Sequence, residues 1–327
     1  MKYRKTVKYI LSLAIAAVLV WMAFRSVDWA SFLDGLKQTR WGFIALFIAA
    51  SIGALVFRTL RWQALLGPIG AEVRSLVIWD ANNIGNLTNI VLPGSGEFVR
   101  CGYVATGKAR YDKVFGTVLM ERIWDILAIV ILFVLAICLN RARFGSFFAE
   151  HIWGPLSAKA GGSLPWIAAA MLLVLAAALW ALWHFRNRSK LCRKAADAVK
   201  GLAEGFGSIA KMRRKWLFAL YTAGIWAMYI LMCWFVMKAM PALEGLSFVD
   251  AIFISAVGNI ASIIPVPGGI GAYHYLIALS LSSIYAVPWA TGILFATLNH
   301  ELHAVLVIIL GVASYLRFSL GKKHNAI

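Results

Sequence analysis

Long apolar runs separated by short, polar and strongly basic stretches dominate this chain. Several runs reach about 20 residues, the length that an α-helix needs to cross the hydrocarbon core of a bilayer. Lipid offers no partner to backbone N–H and C=O groups, so each run is predicted to be helical. The pattern therefore predicts an all-α, polytopic membrane protein. Six full spans are predicted, at about residues 7–24, 41–61, 112–139, 165–184, 216–240 and 288–318.

The basic residues set the expected orientation. Lys2, Arg4, Lys5 and Lys8 surround the start of the first span and place the N-terminus in the cytoplasm. That span lacks a small-residue cleavage site, so we read it as uncleaved. Segment 186–215 carries ten Lys or Arg residues with apolar positions at helical spacing, which predicts a cytoplasmic amphipathic helix. Both termini are expected to be cytoplasmic, and Trp41 and Trp62 are expected at the two interfaces.

Two apolar segments, about 73–92 and 248–284, are interrupted by glycine and proline. We read both as re-entrant helices, although two complete spans in each place would give the same parity of crossings. Gly-Asn pairs and Pro-Gly breaks occur in both segments in nearly the same register. The residues of these motifs are Gly85, Asn86, Pro93, Gly94 and Gly96 in the first, and Gly258, Asn259, Pro265, Pro267, Gly268, Gly269 and Gly271 in the second.

The two broken segments have opposite charged flanks. Because the first lies between cytoplasmic flanks and the second between external flanks, residues 41–139 and 216–318 are predicted to be inverted repeats within one membrane domain, 1–327. Each repeat reads as full span, broken segment, full span. Inverted repeats with Gly/Pro-interrupted helices are typical of transporters, which place the substrate near the midplane between them.

Composition agrees with the membrane assignment and reduces the number of possible functions. Hydrophobic residues make up 61% of the chain and charged residues 14%. The net charge of +18 is interpreted as the basic cytoplasmic ends of helices facing anionic lipid, not as a nucleic-acid surface. Four scattered cysteines form no CxxC pair. No Walker loop, dinucleotide loop or nucleophile elbow is seen, so no cofactor is expected.

A group of ionisable residues falls inside the predicted spans and the first broken segment. Charges at such depth are costly and normally pair or face a cavity. Two interpretations stay open: the group binds a lipid head group, with Arg100 or Arg122 meeting a phosphate, or it forms structural ion pairs. Its members are Glu97, Arg100, Glu121, Arg122 and Asp125.

A second polar group lies in the other half of the chain. His274 follows the second Pro-Gly break, and His300 and Glu301 lie in the last span. We expect these three to relay protons. The sequence His300-Glu-Leu-His303 is not the HExxH zinc motif, because its histidines are three residues apart, so no metal is expected.

The motifs together resemble the flippase-like membrane family, which includes the transmembrane region of lysylphosphatidylglycerol synthases. The resemblance covers about residues 8–318, with one departure: His274 and Tyr275 stand where many relatives have an acidic residue. Because the chain ends soon after its last span, the soluble aminoacyltransferase domain is expected to be absent and the chain is expected not to be an enzyme. The matching motifs are Pro93-Gly-x-Gly-Glu97-x-x-Arg100, Glu121-Arg122-x-x-Asp125 and Pro265-x-Pro267-Gly-Gly-x-Gly271.

The resemblance implies a lipid translocator of the cytoplasmic (inner) membrane. Its expected partners are membrane lipids of the phospholipid or polyprenyl-phosphate type, and a separate soluble lipid-modifying enzyme. Two alternatives remain: an intramembrane enzyme or accessory subunit acting on a lipid-linked substrate through Glu121, Asp125 or His274, and an ion-coupled transporter of a small solute.

Overall fold

The computed structural model describes residues 17–105, 109–145, 215–261 and 269–324, with isolated positions between 149 and 213. Helices make up nearly all of these residues. The helices are α1 (17–24), α2 (Trp29–Lys37), α3 (Trp41–Leu66), α4 (Ser75–Val91), α5 (Ser95–Val104), α6 (Tyr111–Leu139), α7 (Lys215–Ala239), α8 (Phe248–Ile260), α9 (Ala272–Tyr285) and α10 (Trp289–His324).

Among the described residues, four helices are long and apolar enough to cross a membrane: α3, α6, α7 and α10. They coincide with four of the six predicted spans, and the protein is a polytopic helical membrane protein. Only the end of the first predicted span is described, as α1. The predicted span at 165–184 and the amphipathic segment at 186–215 lie almost wholly outside the described residues.

Helix α6 shows why these helices belong in lipid. Its hydrophobic residues line a broad outward face that no other described element covers. A soluble protein rarely exposes an apolar patch of that extent. The exposed side chains are Ile123, Ile126, Leu127, Val130, Ile131, Val134 and Leu135.

Between the first two predicted spans, residues 25–40 contain a further helix, α2, which the hydropathy pattern did not indicate. The Asp28 side chain accepts a hydrogen bond from the Ala30 N–H and so caps the N-terminus of α2. Phe32 and Leu36 of α2 pack against the main hydrophobic core. An amphipathic helix of nine residues is too short to register as a span, which is why hydropathy alone missed it.

The first broken segment folds as a pair of helices, α4 and α5. Pro93 has no N–H to donate and interrupts the helix, and Gly94 adopts a left-handed φ of 74° that glycine tolerates. The two helices then pack with Gly85 against Gly96, where the missing side chains allow close backbone approach. Whether this helical hairpin is re-entrant in the bilayer stays a prediction.

The second broken segment has the same order of elements. Ser247 and Asp250 form a capping box at the start of α8, and Gly271, with φ of 84°, precedes α9. At Gly271 an added Cβ would lie 2.6 Å from the backbone nitrogen of Val20, so α1 packs directly on this break. Pro265, Pro267 and Gly268 lie outside the described residues. The inverted relation between the two halves stays a prediction.

The core joins both halves. The largest hydrophobic cluster draws on α3 and on α6 through α10, and a second cluster packs α3, α4, α5 and α6 around Trp62. Trp62, expected at a membrane interface, packs inside the protein and faces neither lipid nor water. Its side chain is fully buried, and its Nε1–H donates to Thr117 Oγ1 at 3.0 Å. Helix α3 continues to Leu66, which places Trp62 inside the packed bundle.

Candidate functional site

Helices α5 and α6 bring the five predicted charged residues into one network. Arg100 lies at its centre: Nε donates to Glu97 Oε2 at 2.7 Å, and Nη2 donates to Glu121 Oε2 at 2.7 Å. Nη1 donates to Asn82 Oδ1 at 2.9 Å, and the guanidinium carbon lies 4.5 Å from the Trp62 ring centroid. Arg100 is buried and its charge is already compensated, so this side chain is held as a structural ion pair.

Arg61 of α3 belongs to the same network, although the second predicted span ends at this residue. Its side chain is fully buried, with Nη1 2.7 Å from Asp125 Oδ1 and Nε 3.5 Å from Glu121 Oε1. Both carboxylates reach one guanidinium because they lie four residues apart on one face of α6. The ion-pair interpretation therefore describes Arg61, Arg100, Glu121 and Asp125.

Arg122 and Glu97 form the more accessible edge of the network. Arg122 Nη2 lies 3.0 Å from Glu97 Oε1, and Arg122 Nη1 lies 3.8 Å from Asp125 Oδ2. The Arg122 side chain is 41% exposed. A head group could reach this edge without breaking the buried ion pairs of the network.

The three residues predicted to relay protons also meet, although His274 comes from α9 and the other two from α10. His300 Nδ1 lies 2.9 Å from Glu301 Oε1, and His274 Nε2 lies 3.7 Å from the same oxygen. Such a cluster can pass a proton between imidazoles through the carboxylate. The donor atoms also lie within 4.8 Å of one another, so two imidazoles and one carboxylate could hold a divalent cation.

The neighbouring polar residues link this cluster to the centre of the protein. The Asn299 side-chain amide donates to the Tyr273 hydroxyl, and the Tyr273 and His300 rings lie 4.9 Å apart. His303 Nδ1 lies 3.1 Å from Ser51 Oγ of α3. The first two contacts join α9 to α10, and the third joins α10 to α3.

A cavity of about 610 Å³ separates the two polar clusters and lies between the two broken segments. Its walls come from both halves, and the motif residues Asn86, Pro93, Gly94, Gly258, Asn259 and Gly269 are among them. The remaining lining residues are Arg58, Asn89, Ile90, Glu97, Arg122, Tyr229, Met232, Cys233, Ser255, Ala261, Tyr273, Asn299, His300, His303, Ala304 and Val307.

Arg58 is a charged residue of this cavity that the sequence analysis did not single out, and the same is true of the buried Arg61 nearby. A signal was present in the sequence. Both arginines are followed by Trp62, Leu65 and Leu66, so the helix runs on past them. At about 1.5 Å per residue, Arg58 lies roughly 12 Å from the end of α3, which is deeper than an interfacial anchor.

A further ion pair ties the first broken segment to the last helix. Arg317 of α10 donates through two nitrogens to the buried carboxylate of Asp80 on α4. Close by, an added Cβ at Gly311 would lie 2.7 Å from Leu87 Cβ. These contacts show that α10 packs along α4 between Asp80 and Leu87.

Most of the chain is similar in sequence to known proteins. Residues 9–311 match the family described as the lysylphosphatidylglycerol synthase transmembrane region. The chain is 27% identical over 317 residues to the glycosyltransferase AglD of Haloferax volcanii, covering 85% of this chain and 49% of that protein. The chain thus spans about half the length of AglD.

A second relative has a length closer to that of this chain. It is a UPF0104 membrane protein of Pyrococcus horikoshii, 23% identical over 298 residues, with 82% of this chain and 84% of the relative covered. No solved structure matches the chain.

Proposed function

The chain belongs to the family of the lysylphosphatidylglycerol synthase transmembrane region, and from this premise we propose that it translocates a lipid between the two leaflets. The proposed lipid is a phospholipid or a polyprenyl-phosphate-linked molecule. We further propose that it works in the cytoplasmic membrane with both termini in the cytoplasm, and that it moves the lipid without covalent change.

The observation that carries the proposal is the cavity between the two broken segments. A polar head group moved through hydrocarbon would lose its hydrogen bonds to water, at a cost of several kcal/mol per group. The cavity offers replacements: the charged groups of Glu97 and Arg122, and several side-chain amides. Its volume of about 610 Å³ is in the range of pockets that enclose small ligands, so it suits a head group while the acyl chains stay in lipid.

The broken helices support the same conclusion. Irregular backbone at membrane depth is tolerated where it lines a cavity or is buried in protein. Pro93, Gly94 and Gly269 all line this cavity. Movement driven by a proton gradient would use His274, His300 and Glu301, which lie at the cavity or next to it; otherwise movement is passive.

A reconstitution experiment tests the proposal. Proteoliposomes would carry fluorescent phospholipids or polyprenyl-phosphate lipids, and chemical quenching of the outer leaflet would report exchange. We expect exchange with the wild-type protein, and a rate at least tenfold lower with Glu97→Gln or Arg122→Ala. Matched controls are Glu244→Gln and Arg110→Ala, which change exposed ion pairs away from the cavity and should leave exchange intact.

Equal leaflet exchange with and without protein, across all lipids in the panel, would refute the proposal. Full activity of both cavity variants would limit the charged network to a structural role.

A second candidate function has one observation in its favour. The relative AglD is named a glycosyltransferase, and this chain places two imidazoles and a carboxylate beside the cavity. An intramembrane enzyme or accessory subunit acting on a lipid-linked substrate would use that cluster. Product analysis of the same lipids separates the two: an enzyme leaves a new covalent species, whereas a translocator does not.

A separate soluble enzyme that modifies the lipid is the partner expected for a translocator.

A further inference from the structure

Four arginines lie in or beside the charged network, and three of them form ion pairs with its carboxylates. Arg61, Arg100 and Arg122 each lie within ion-pair distance of a carboxylate. Arg58 is different: in the part of the chain that the structure describes, it has neither an ion pair nor a hydrogen bond from its side chain. It is partly buried and lines the cavity.

Arg58 is nevertheless close enough to the network to interact electrostatically with its charged groups. Tyr229, Asp125 and Glu121 favour its positive charge, and Arg100 opposes it. The three carboxylates of the network, Glu97, Glu121 and Asp125, are already engaged by the other three arginines. Four guanidinium groups against three carboxylates therefore leave one positive charge without a counterpart among the described residues.

The residues that line the cavity also carry one more positive charge than negative charge. Arg58 and Arg122 line it against the single carboxylate of Glu97. Glu301 does not cancel this excess on the wall, because it does not line the cavity and its carboxylate faces His274 and His300.

We infer that Arg58 is the anion-binding group of the cavity, and that the lipid carried there has a phosphate head group of net negative charge. This inference rests on the proposed function and narrows its substrate class. An unpaired guanidinium at membrane depth is costly and normally marks a functional site. A phosphate oxygen is a fitting partner, because the guanidinium offers several N–H donors in a planar fork.

The same charge balance argues against a cationic head group. A lysyl ester adds two ammonium groups to a lipid with one phosphate and makes the head group net positive. Such a head group would meet Arg58 and Arg122 with only Glu97 as a counter-charge, and that carboxylate already contacts Arg122 and Arg100. Like charges brought together in a desolvated site discriminate strongly against the wrong ligand. The cavity therefore favours the lipid before lysylation over the lysylated product.

The rest of the lining suits an uncharged, hydroxyl-rich head group attached to that phosphate. Tyr229, Ser255, Asn259 and Tyr273 contribute hydroxyl and amide groups to the wall. Hydroxyls and amides both donate and accept hydrogen bonds. A glycerol or sugar head group would find partners on this wall without needing an opposite charge.

Binding can be measured separately from transport. Native mass spectrometry of the full chain in detergent would count bound lipid from equimolar dioleoyl phosphatidylglycerol and its lysyl ester. We expect the anionic lipid to occupy the wild-type protein at least tenfold more than the lysyl ester. In Arg58→Gln this preference should fall at least tenfold, Arg58→Lys should retain part of it, and Arg110→Gln, an exposed arginine, should match wild type.

Two results would overturn the inference: equal or stronger binding of the lysyl ester to wild type, or an unchanged preference in Arg58→Gln. A third arm adds inorganic phosphate at millimolar concentration. Displacement of the lipid by phosphate alone at comparable affinity would overturn the assignment to a lipid head group. If leaflet exchange were absent for every lipid while the preference and its loss in Arg58→Gln persisted, the translocator proposal would fail and the anion site would stand.

A stability readout separates ligand binding from a structural role. Removing an unbalanced positive charge should leave the lipid-free protein as stable as wild type or more so, as is common where a functional group is held at a cost to stability. Thermal unfolding in detergent of Arg58→Gln should therefore show an unchanged or raised Tm. A clear fall in Tm would mean that Arg58 holds the fold together and would overturn the inference.

Discussion

The crossing of α4 and α5 allows a sharp test of how the first broken segment is built. At Gly96 an added Cβ would fall well inside contact distance of the Gly85 carbonyl oxygen, and 2.7 Å from Asn89 Oδ1. The Gly96 N–H also donates to Asn89 Oδ1 at 2.7 Å. The substitution Gly96→Ala must therefore push the two helices apart, because a backbone carbonyl cannot move aside as a flexible side chain would.

The size of the effect follows from those contacts. Overpacking of this kind costs about 1–3 kcal/mol, and losing the hydrogen bond to Asn89 adds roughly 0.5–1.5 kcal/mol. Replacing a helical glycine by alanine returns at most about 1 kcal/mol of helix propensity. We expect Gly96→Ala to lower the free energy of unfolding by about 1–4 kcal/mol.

Gly102 provides a matched control in the same helix. It is exposed, and an added Cβ there meets nothing within 4 Å. Gly102→Ala should be neutral or stabilising by up to about 1 kcal/mol. Unfolding of both variants in mixed micelles with increasing denaturing detergent, followed by circular dichroism, would measure the difference. A Gly96→Ala protein as stable as Gly102→Ala would refute the close crossing of α4 and α5.

Three more substitutions probe other parts of the structure. Glu121→Gln should lower the free energy of unfolding by about 3–5 kcal/mol in the same micelle assay, because it leaves two buried guanidinium groups with fewer counter-charges; a variant as stable as wild type would contradict the network. Gly311→Ala should separate α10 from α4 and cost about 1–3 kcal/mol, whereas an unchanged Tm would argue against that contact. Arg40 lowers the pKa of Glu244, mainly through its hydrogen bond and also through its charge. The pair therefore stabilises the protein fully above the unfolded pKa of about 4.3. This stabilisation is lost as pH falls through the lower pKa of the folded state. Glu244→Gln should therefore flatten the acid side of a plot of Tm against pH, and a profile identical to that of wild type would contradict it.

Much of the fold was readable along the chain because lipid restricts a spanning segment to one structure. Four of the predicted spans coincide with long helices, and the break at Pro93 and Gly94 is where one helix stops and the next begins. These features depend on local chemistry: a run of apolar residues, a missing N–H, and a residue that tolerates a left-handed φ.

Part of the candidate site was also readable. Charges inside apolar runs must pair or face a cavity, and Glu97, Arg100, Glu121, Arg122 and Asp125 were found on that basis. The spacing of Glu121 and Asp125 placed both on one face of a helix. The structure then showed Glu97 and Arg122 at the cavity and the other three in ion pairs beside it.

What the sequence by itself determined, then, is which segments are helical, where they break, and which residues carry charge at depth. Only the tertiary structure decided which charges are paired. Arg58 and Arg61 are three residues apart and look alike in sequence, yet Arg58 faces the cavity whereas Arg61 contacts two carboxylates of α6. His274 meets Glu301 across 27 positions of chain for the same reason. Pairing depends on how each helix is rotated and how closely it crosses its neighbours, and that is fixed by packing between helices, such as Gly85 against Gly96, which no single segment encodes.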